Sequence, residues 1–412
     1  MKLKEDEKAM LAGEFGQPVK RAMEYLIKLG EFFGAEEFVD IRSCWQDCSF
    51  AMHHEVGLQL VEELAAQGGK FRAIAIMGPC DMPEWWQEIG QREEDAKKTF
   101  RLIEAYKKLG GYLAYTCISE ECIELPTFGE HCHWGGSNLA IYVNSVLGAR
   151  TNVAGVGTGL MCAITGKTPK FGLHLDENRL GKVLVQVDAE LKSLTDWDAL
   201  GYYVGMQLRE YGMIPVFQGL PKNILEGARR RLDGALMAYG TMGMYHIVGS
   251  TPEAPTLRDA FGGRKPLKEL VVTRENLDAM YNYFPVKDKK IDLVIIGCPQ
   301  TEVDEIALIA DMLKGRRIHP DVAFWINTTP KFKHLIEEMG YAKIIEDAGG
   351  RITYRACVLW MTPRYLAEKL GYRRVLTPDI KYAHYLVGYG MQPVFRPIPV
   401  CIESAIAGEL RG

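Results

Sequence analysis

The chain has 412 residues, 47% of them hydrophobic and 25% charged, with a formal net charge of -4. That is enough apolar surface for two or three globular domains, and without an extended basic run it excludes an electrostatic grip on nucleic acid or a membrane surface. No apolar run reaches the length of a bilayer span, and MKLKEDEKAM carries acidic residues where a signal peptide needs an apolar core, so a cytoplasmic protein acting with small molecules or other proteins is expected.

In chain order, residues 1–110 open with an amphipathic helical pattern, KAMLAGEFGQPVKRAMEYLIKLGEFFG, followed by strands at EFVDIR and FRAIAIMG, an N-terminal α/β region. A central α/β region, 111–285, contains the apolar run GYLAYTC, a Gly-rich loop stretch, the helical SNLAIYVNSVLGA, the strand KVLVQVD and the apolar GALMAYGTMGMYHIVGS. Residues 286–412 alternate regularly: strand IDLVIIG, helix TEVDEIALIADMLKG, strand DVAFWIN, helix KFKHLIEEMGYAKIIEDAG, strand ITYRACVLWM, helix PRYLAEKLG, strand PVFRPIPV and helix CIESAIAGEL. Such a rhythm predicts a parallel, doubly wound sheet.

Ten cysteines in this length are too sparse for a disulfide scaffold, and a reducing compartment would not keep one. A free cysteine packs like a small hydrophobe, so a functional reading needs support from position. Cys298 ends an apolar strand just before a helix, Cys357 stands late in the strand pattern ITYRACVLWM, and Cys117 closes GYLAYTC. In a parallel sheet, ligands gather outside the carboxyl ends of the strands. The three are separated by 181 and 59 residues, so only the fold can assemble them, and three thiolates that leave one position open suit an iron–sulfur cluster whose unique iron does chemistry. Packing remains the alternative at this point.

Other motifs carry less. Cys44 with Cys48, and Cys117 with Cys122, have metal-like spacings but lack the matching second pair of a zinc ribbon. His131 and His133, alternate residues of GEHCHWGG, share a face on an extended segment and would turn both imidazoles toward one ligand, unless the loop is merely polar. His53 and His54 are expected on an exposed helix face, and Trp85-Trp86 in packing or an interface. Gly155, Gly157 and Gly159 have the wrong spacing for a dinucleotide loop and no acidic ribose partner, which excludes a nucleotide site there.

Several ordered landmarks then carry a resemblance: LAGEFGQPVKRAMEYLIKLGE, GEHCHW, YVNSVLGARTN, YHIVGSTPEA, VIIGCPQTEVDE, YRACVLWMTP and KYAHY. Over almost the whole chain they resemble the large, catalytic part of aconitase X, a branch of the aconitase superfamily. The resemblance implies an aconitase-like multi-domain α/β fold and a hydro-lyase that dehydrates a small hydroxy acid. It places the family's cluster ligands on Cys117, Cys298 and Cys357, the same three that strand ends select. The implied cofactor is an iron–sulfur cluster, 4Fe-4S with one open iron; a smaller cluster or a single iron is also compatible with three thiolates. Gly297 would then permit close backbone approach at the mouth of the cleft, and Pro299 would favour entry into the helix.

By the same resemblance Glu130, His131 and His246 are catalytic candidates, and Ser43, Asp81, Asn144, Arg150, Asn152 and Lys381 substrate-binding candidates. Arg150 could fork onto a carboxylate or phosphate, or serve a structural salt bridge; Lys381 could neutralise substrate charge. A separate small swivelling-domain subunit is expected to supply a serine base. Activities in the family are dehydration of mevalonate 5-phosphate, favoured here because a stand-alone large chain is its usual form, and of cis-3-hydroxy-L-proline. Rivals from other classes are a non-catalytic metal-binding or assembly protein, which a fourth protein ligand would mark, and a zinc hydrolase.

The chain also departs from the family pattern. Ser43-Cys44-Trp45 stands for Ser-Ala-His, Cys117-Ile118-Ser119-Glu120 for a Cys-Thr-Pro-Tyr-like stretch, Gly135-Gly136-Ser137-Asn138 for a Ser-Glu-Ser-Ser-like stretch, Pro299-Gln300 for Pro-His, and Pro378-Asp379-Ile380 for a Ser-bearing segment. These changes are expected at the pocket walls, with cluster chemistry kept and the substrate altered.

Overall fold

The computed structural model describes residues 1–119, 125–210 and 212–411; Glu120 and Cys122 lie outside them. The N-terminal pattern forms two helices, Glu5–Ala12 and Gln17–Phe32, because Gly13 caps the first in the left-handed region (φ 92°) and Pro18 opens the second. Strands β1 (Phe38–Asp40), β2 (Ser43–Gln46), β3 (Ile74–Met77), β4 (His133–Trp134) and β5 (Lys167–Pro169) follow. Parallel pairing in the order β3-β2-β4 puts strands from both sides of residue 110 in one sheet, while β1 and β5 form a separate antiparallel pair.

A second parallel sheet has the order β8-β7-β6-β9, built from β6 (Val183–Val187), β7 (Pro215–Gln218), β8 (His246–Ile247) and β9 (Lys268–Val272). The C-terminal sheet contains β10 (Leu293–Ile296), β11 (Ala323–Asn327), β12 (Arg351–Thr353), β13 (Arg374–Thr377) and β14 (Gln392–Phe395), all parallel, in the order β12-β11-β10-β13-β14. Its strands are apolar on both faces because both are covered. Val294 and Ile296 of β10 pack with Ile306, Ile309 and Ile402 on one side, whereas Leu293 and Ile295 pack with Leu366, Tyr382 and Leu386 on the other. The doubly wound sheet expected from the sequence is therefore present.

Counted along the chain, the strand order is 3-2-1-4-5, so direction reverses between β10 and β13. The crevice at such a reversal is where open α/β sheets bind ligands, and Cys298 follows the end of β10 directly. Two elements beside that crevice were not anticipated, β13 and the helix Ile380–Gly388 that presents Lys381. Two expected placements also change. Cys357 lies beyond β12, which stops at Thr353, and GYLAYTC forms no strand, only an isolated bridge between Tyr112 and Ile76. No helix among the described residues is long and apolar enough to cross a membrane.

Candidate active site

Cys117, Cys298 and Cys357 line one cavity of about 350 Å³ together with Lys381, Asp47 and Trp45. Each thiol arrives on a loop held from elsewhere in the chain. Gly297, at φ 122°, lies so close to β11 that a Cβ there would overlap the Asn327 carbonyl, which explains a glycine before Cys298. The Gly297 and Cys298 amides both donate to Asp379 Oδ2, at 2.6 and 3.1 Å. Cys357 N donates to the Cys80 carbonyl at 2.9 Å, and Cys80 N to the Arg355 carbonyl at 2.8 Å. Pro299 does not open the helix as expected: the helix is Val303–Leu313, capped by Glu302, and Pro299 belongs to the turn before it.

Burial pushes the Cys298 thiol up to about 12, with Lys381 pulling against it, and pushes Cys357 up as well, helped by Cys298 and Cys117. Burial also opposes the charge on Lys381, yet Cys298, Tyr385, Cys117 and Cys357 together hold its ammonium above the ordinary lysine range. Its Nζ donates to Ser137 Oγ at 2.6 Å and Asn138 Oδ1 at 3.4 Å. The donor set is thus three sulfurs with a buried cation beside them. No histidine or fourth cysteine lines the cavity among the described residues. Nor, among those residues, do any three His, Cys, Asp or Glu side chains close on a single point as ligands of one ion would. Three cysteine sulfurs with, among the described residues, no fourth cysteine or histidine on the cavity wall are a donor set that fits an iron–sulfur cluster with one iron left open.

Asp47 is a residue the sequence reading passed over. Buried on the cavity wall, its Oδ1 accepts from Ser49 N at 2.7 Å and Ser49 Oγ at 2.6 Å, and desolvation raises its carboxyl to about 7. The signal was an acid two residues past the strand-borne Trp45, hidden between two cysteines that drew attention as metal ligands. Those cysteines are spent on carbonyls, Cys44 Sγ on Gly159 at 3.3 Å and Cys48 Sγ on Gly78 at 2.8 Å.

None of the remaining candidates lines the thiol cavity. Ser43 Oγ accepts from Trp134 Nε1 at 2.9 Å, and Asp81 accepts from Thr99 Oγ1 at 2.7 Å and Ala51 N at 2.9 Å, burial raising it to about 6. Asn144 bonds Thr151, Gly243 and Arg179, and His246 Nε2 donates to the Arg179 carbonyl at 2.8 Å, so both serve the network around Arg179, a guanidinium 1% exposed. Asn152 ties Phe171 to Leu173, and Glu130 accepts from Thr127. Arg150 makes a salt bridge with Asp176 in a separate polar cleft, where His131 and His174 face each other at 2.9 Å; that cleft shares no lining residue with the thiol cavity. His131 and His133 do not face one ligand: His133 is buried in β4, its imidazole lowered to about 4 by burial. His53, expected exposed, is buried against the Tyr106 hydroxyl at 2.6 Å, and only His54 faces out. Trp85 packs on Trp325, as expected. Gly155 and Val156 open the helix Val156–Thr165 on the wall of the thiol cavity.

Of the departures expected at the pocket walls, Trp45, Gly135, Gly136, Ser137 and Asn138 do line the cavity, while two others sit differently. Gln300 and Asp379 line no part of the cavity; both are buried and bind the thiol loops. Trp45 does form a wall, its ring seated where a Cβ at Gly78 or Gly136 would overlap it.

Comparison with known proteins agrees with this architecture. Family profiles described as aconitase X first, second and third domain match residues 1–177, 181–282 and 291–407. The chain is 34% identical over 397 residues to the phosphomevalonate dehydratase large subunit of Methanocaldococcus jannaschii, covering 94% of this chain and 96% of that one. It is 32% identical to the cis-3-hydroxy-L-proline dehydratase of Pseudomonas aeruginosa, covering 98% of this chain and 70% of the relative. The crystal structure of Thermococcus kodakaraensis aconitase X in its holo-form superposes with a TM-score of 0.88 at 31% identity, covering 98% of this chain and all of that one. With all three domain profiles matched in order and the fold shared end to end, the chain belongs to the aconitase X family.

Proposed function

We propose that this chain is the large subunit of a cytoplasmic iron–sulfur hydro-lyase that dehydrates a small hydroxy carboxylic acid. The observation that carries the reading is the convergence of Cys117, Cys298, Cys357 and Lys381 on one cavity. When bound, an iron–sulfur cluster with one iron lacking a protein ligand supplies a Lewis acid for the departing hydroxyl. Lys381, the only lysine or arginine lining the cavity among the described residues, holds the substrate carboxylate. Asp47 keeps its proton at mildly acidic pH and loses it near neutrality, which suits a group that protonates a leaving hydroxide. The base that takes the carbon-bound proton is assigned to a serine of a small swivelling subunit; the name "large subunit" borne by relatives supports a second chain.

Relatives matched along nearly their whole length are named for phosphomevalonate, which makes mevalonate 5-phosphate the first substrate to assay. A second reading, cis-3-hydroxy-L-proline, has its own support: a relative named for that activity matches 98% of this chain, and Lys381 suits the single carboxylate of such a substrate. The test is an anaerobic assay of the co-purified two-chain complex with both compounds, following loss of water. Turnover of either upholds the reaction class and chooses the substrate. An intact cluster that turns over neither compound, nor any of a panel of short hydroxy acids, overturns it.

The role of Asp47 predicts a limb near pH 7 in the pH–rate profile. Asp47→Asn is expected to lower kcat by about a hundredfold and to remove that limb. A second consequence concerns stability. Because the folded carboxyl titrates above its unfolded value, its stabilising contribution is complete below the unfolded value near 4 and is lost as pH rises through about 7. The variant should therefore gain on the wild type in thermal unfolding above pH 7. An unchanged limb in the variant would remove Asp47 from proton transfer.

A further inference from the structure

The segment carrying Cys117 has no strand to bind it, yet its backbone polar groups are taken one by one by three distant side chains. Gln300 Oε1 accepts from Cys117 N at 2.9 Å and Thr116 Oγ1 at 2.8 Å, and its Nε2 donates to the carbonyls of Tyr115 at 3.1 Å and Thr328 at 2.7 Å. A glutamine amide has two donor hydrogens and two acceptor lone pairs, and here all four are used, in a side chain 2% exposed. Trp45 Nε1 donates to the Thr116 carbonyl at 2.9 Å. Asn138 Nδ2 donates to the Cys117 carbonyl at 2.7 Å.

Gln300 also stands two residues after Cys298, on the turn that leaves β10. One side chain therefore ties the Cys117 segment to the turn bearing a second thiol and, through Thr328, to the end of β11. We infer that Gln300 is a positioning residue that sets Cys117 against Cys298, with Trp45 and Asn138 completing a clamp on the Cys117 backbone. Sheet hydrogen bonds, which anchor the other strand ends of the domain, are replaced here by buried amide and indole groups. A cysteine on an otherwise irregular segment would lose configurational precision without them, and outer partners of this kind govern how tightly ligands hold a metal centre. Three places where the chain departs from the family pattern, Trp45, Asn138 and Gln300, are thereby explained together as one hydrogen-bonded unit.

The inference rests on the iron–sulfur reading above, and the experiment separates the two. Full-length wild type, Gln300→Met and Trp45→Phe are reconstituted anaerobically with ferrous iron and sulfide, then compared for iron and sulfide per chain, for the electron paramagnetic resonance line shape, and for cluster loss to a chelator. Gln300→Met is expected to lose its cluster about tenfold faster or more, with an altered line shape, and Trp45→Phe to shift both in the same direction by less. Apo thermal unfolding is measured alongside. If Gln300→Met fails to fold, Trp45→Phe and Asn138→Ala, each removing one bond of the clamp, decide the matter. Variants that hold iron and sulfide as the wild type does, with the same line shape, overturn the clamp alone. A wild type that takes up no cluster overturns the iron–sulfur reading and the clamp with it. A wild type that loads a cluster but dehydrates nothing leaves the clamp standing and removes the proposed function.

Discussion

Serine at position 298 is expected to leave the chain folded and without a cluster, and to lower turnover by about 4 kcal/mol or more, on the order of a thousandfold. The fold should survive because the change is nearly isosteric and the Cys298 backbone remains held by Asp379, whose carboxylate takes the Gly297 and Cys298 amides. The cluster should not, because a hydroxyl is a far poorer iron ligand than a thiolate and the two remaining cysteines cannot close the donor set. Cys44→Ser is the control. That thiol is equally buried but donates to the Gly159 carbonyl outside the cavity, so its replacement should keep both iron and activity. Iron and sulfide content, circular dichroism and turnover of the two variants provide the check. Wild-type iron in Cys298→Ser would remove Cys298 from the ligand set.

Cys298 was legible because several local signals agree there: an apolar run long enough for a strand, a glycine where the backbone passes close to Asn327, and a helix pattern beyond. Cys357 was legible for a partly mistaken reason. The apolar content of ITYRACVLWM suggests a long strand, but pairing stops at Thr353, and what holds Cys357 is a carbonyl of Cys80 that no local pattern foretells. β13 and the following helix were missed because RRVLTPD is short and bounded by charges and a proline, and because KYAHYLVGYG is rich in aromatic residues and glycine that score poorly as helix. Tertiary packing of Tyr382 and Leu386 against β10 overrides that propensity.

The polar residues of YVNSVLGARTN misled for a different reason. Asn144, Arg150 and Asn152 are the residue types that binding sites use, but buried Arg179 needs acceptors and loop carbonyls need donors, and a sequence does not say which demand a side chain meets. Gln300 and Asp379 show the converse. Read as pocket walls, they are instead the groups that hold the thiol loops, a role visible only when residues 183 and 81 positions apart are seen within hydrogen-bond distance.

Lys381→Met should separate function from stability most sharply. The Lys381 ammonium is 6% exposed, pairs with no carboxylate among the described residues, and is met by the Ser137 hydroxyl and the Asn138 amide oxygen. Cys298 and Cys357 support that ammonium only as thiolates, and burial keeps both thiols protonated at neutral pH, so there the desolvation of the cation goes uncompensated and an apolar side chain of similar length would relieve its cost. The apo variant is therefore expected to unfold at the wild-type temperature or above it. With substrate the sign reverses: a hydroxy acid entering the cavity brings a carboxylate, and without Lys381 that charge is desolvated beside thiolates with no cation to meet it. Losing one partner of such a buried pair costs about 3 kcal/mol, on the order of a hundredfold in kcat/KM. Lys381→Arg, which keeps the charge but not the shape, should recover part of the loss. Thermal unfolding of the apo chains, kcat/KM, and affinity for a carboxylate product together test the argument, and a Lys381→Met variant that binds the product as tightly as the wild type would refute it.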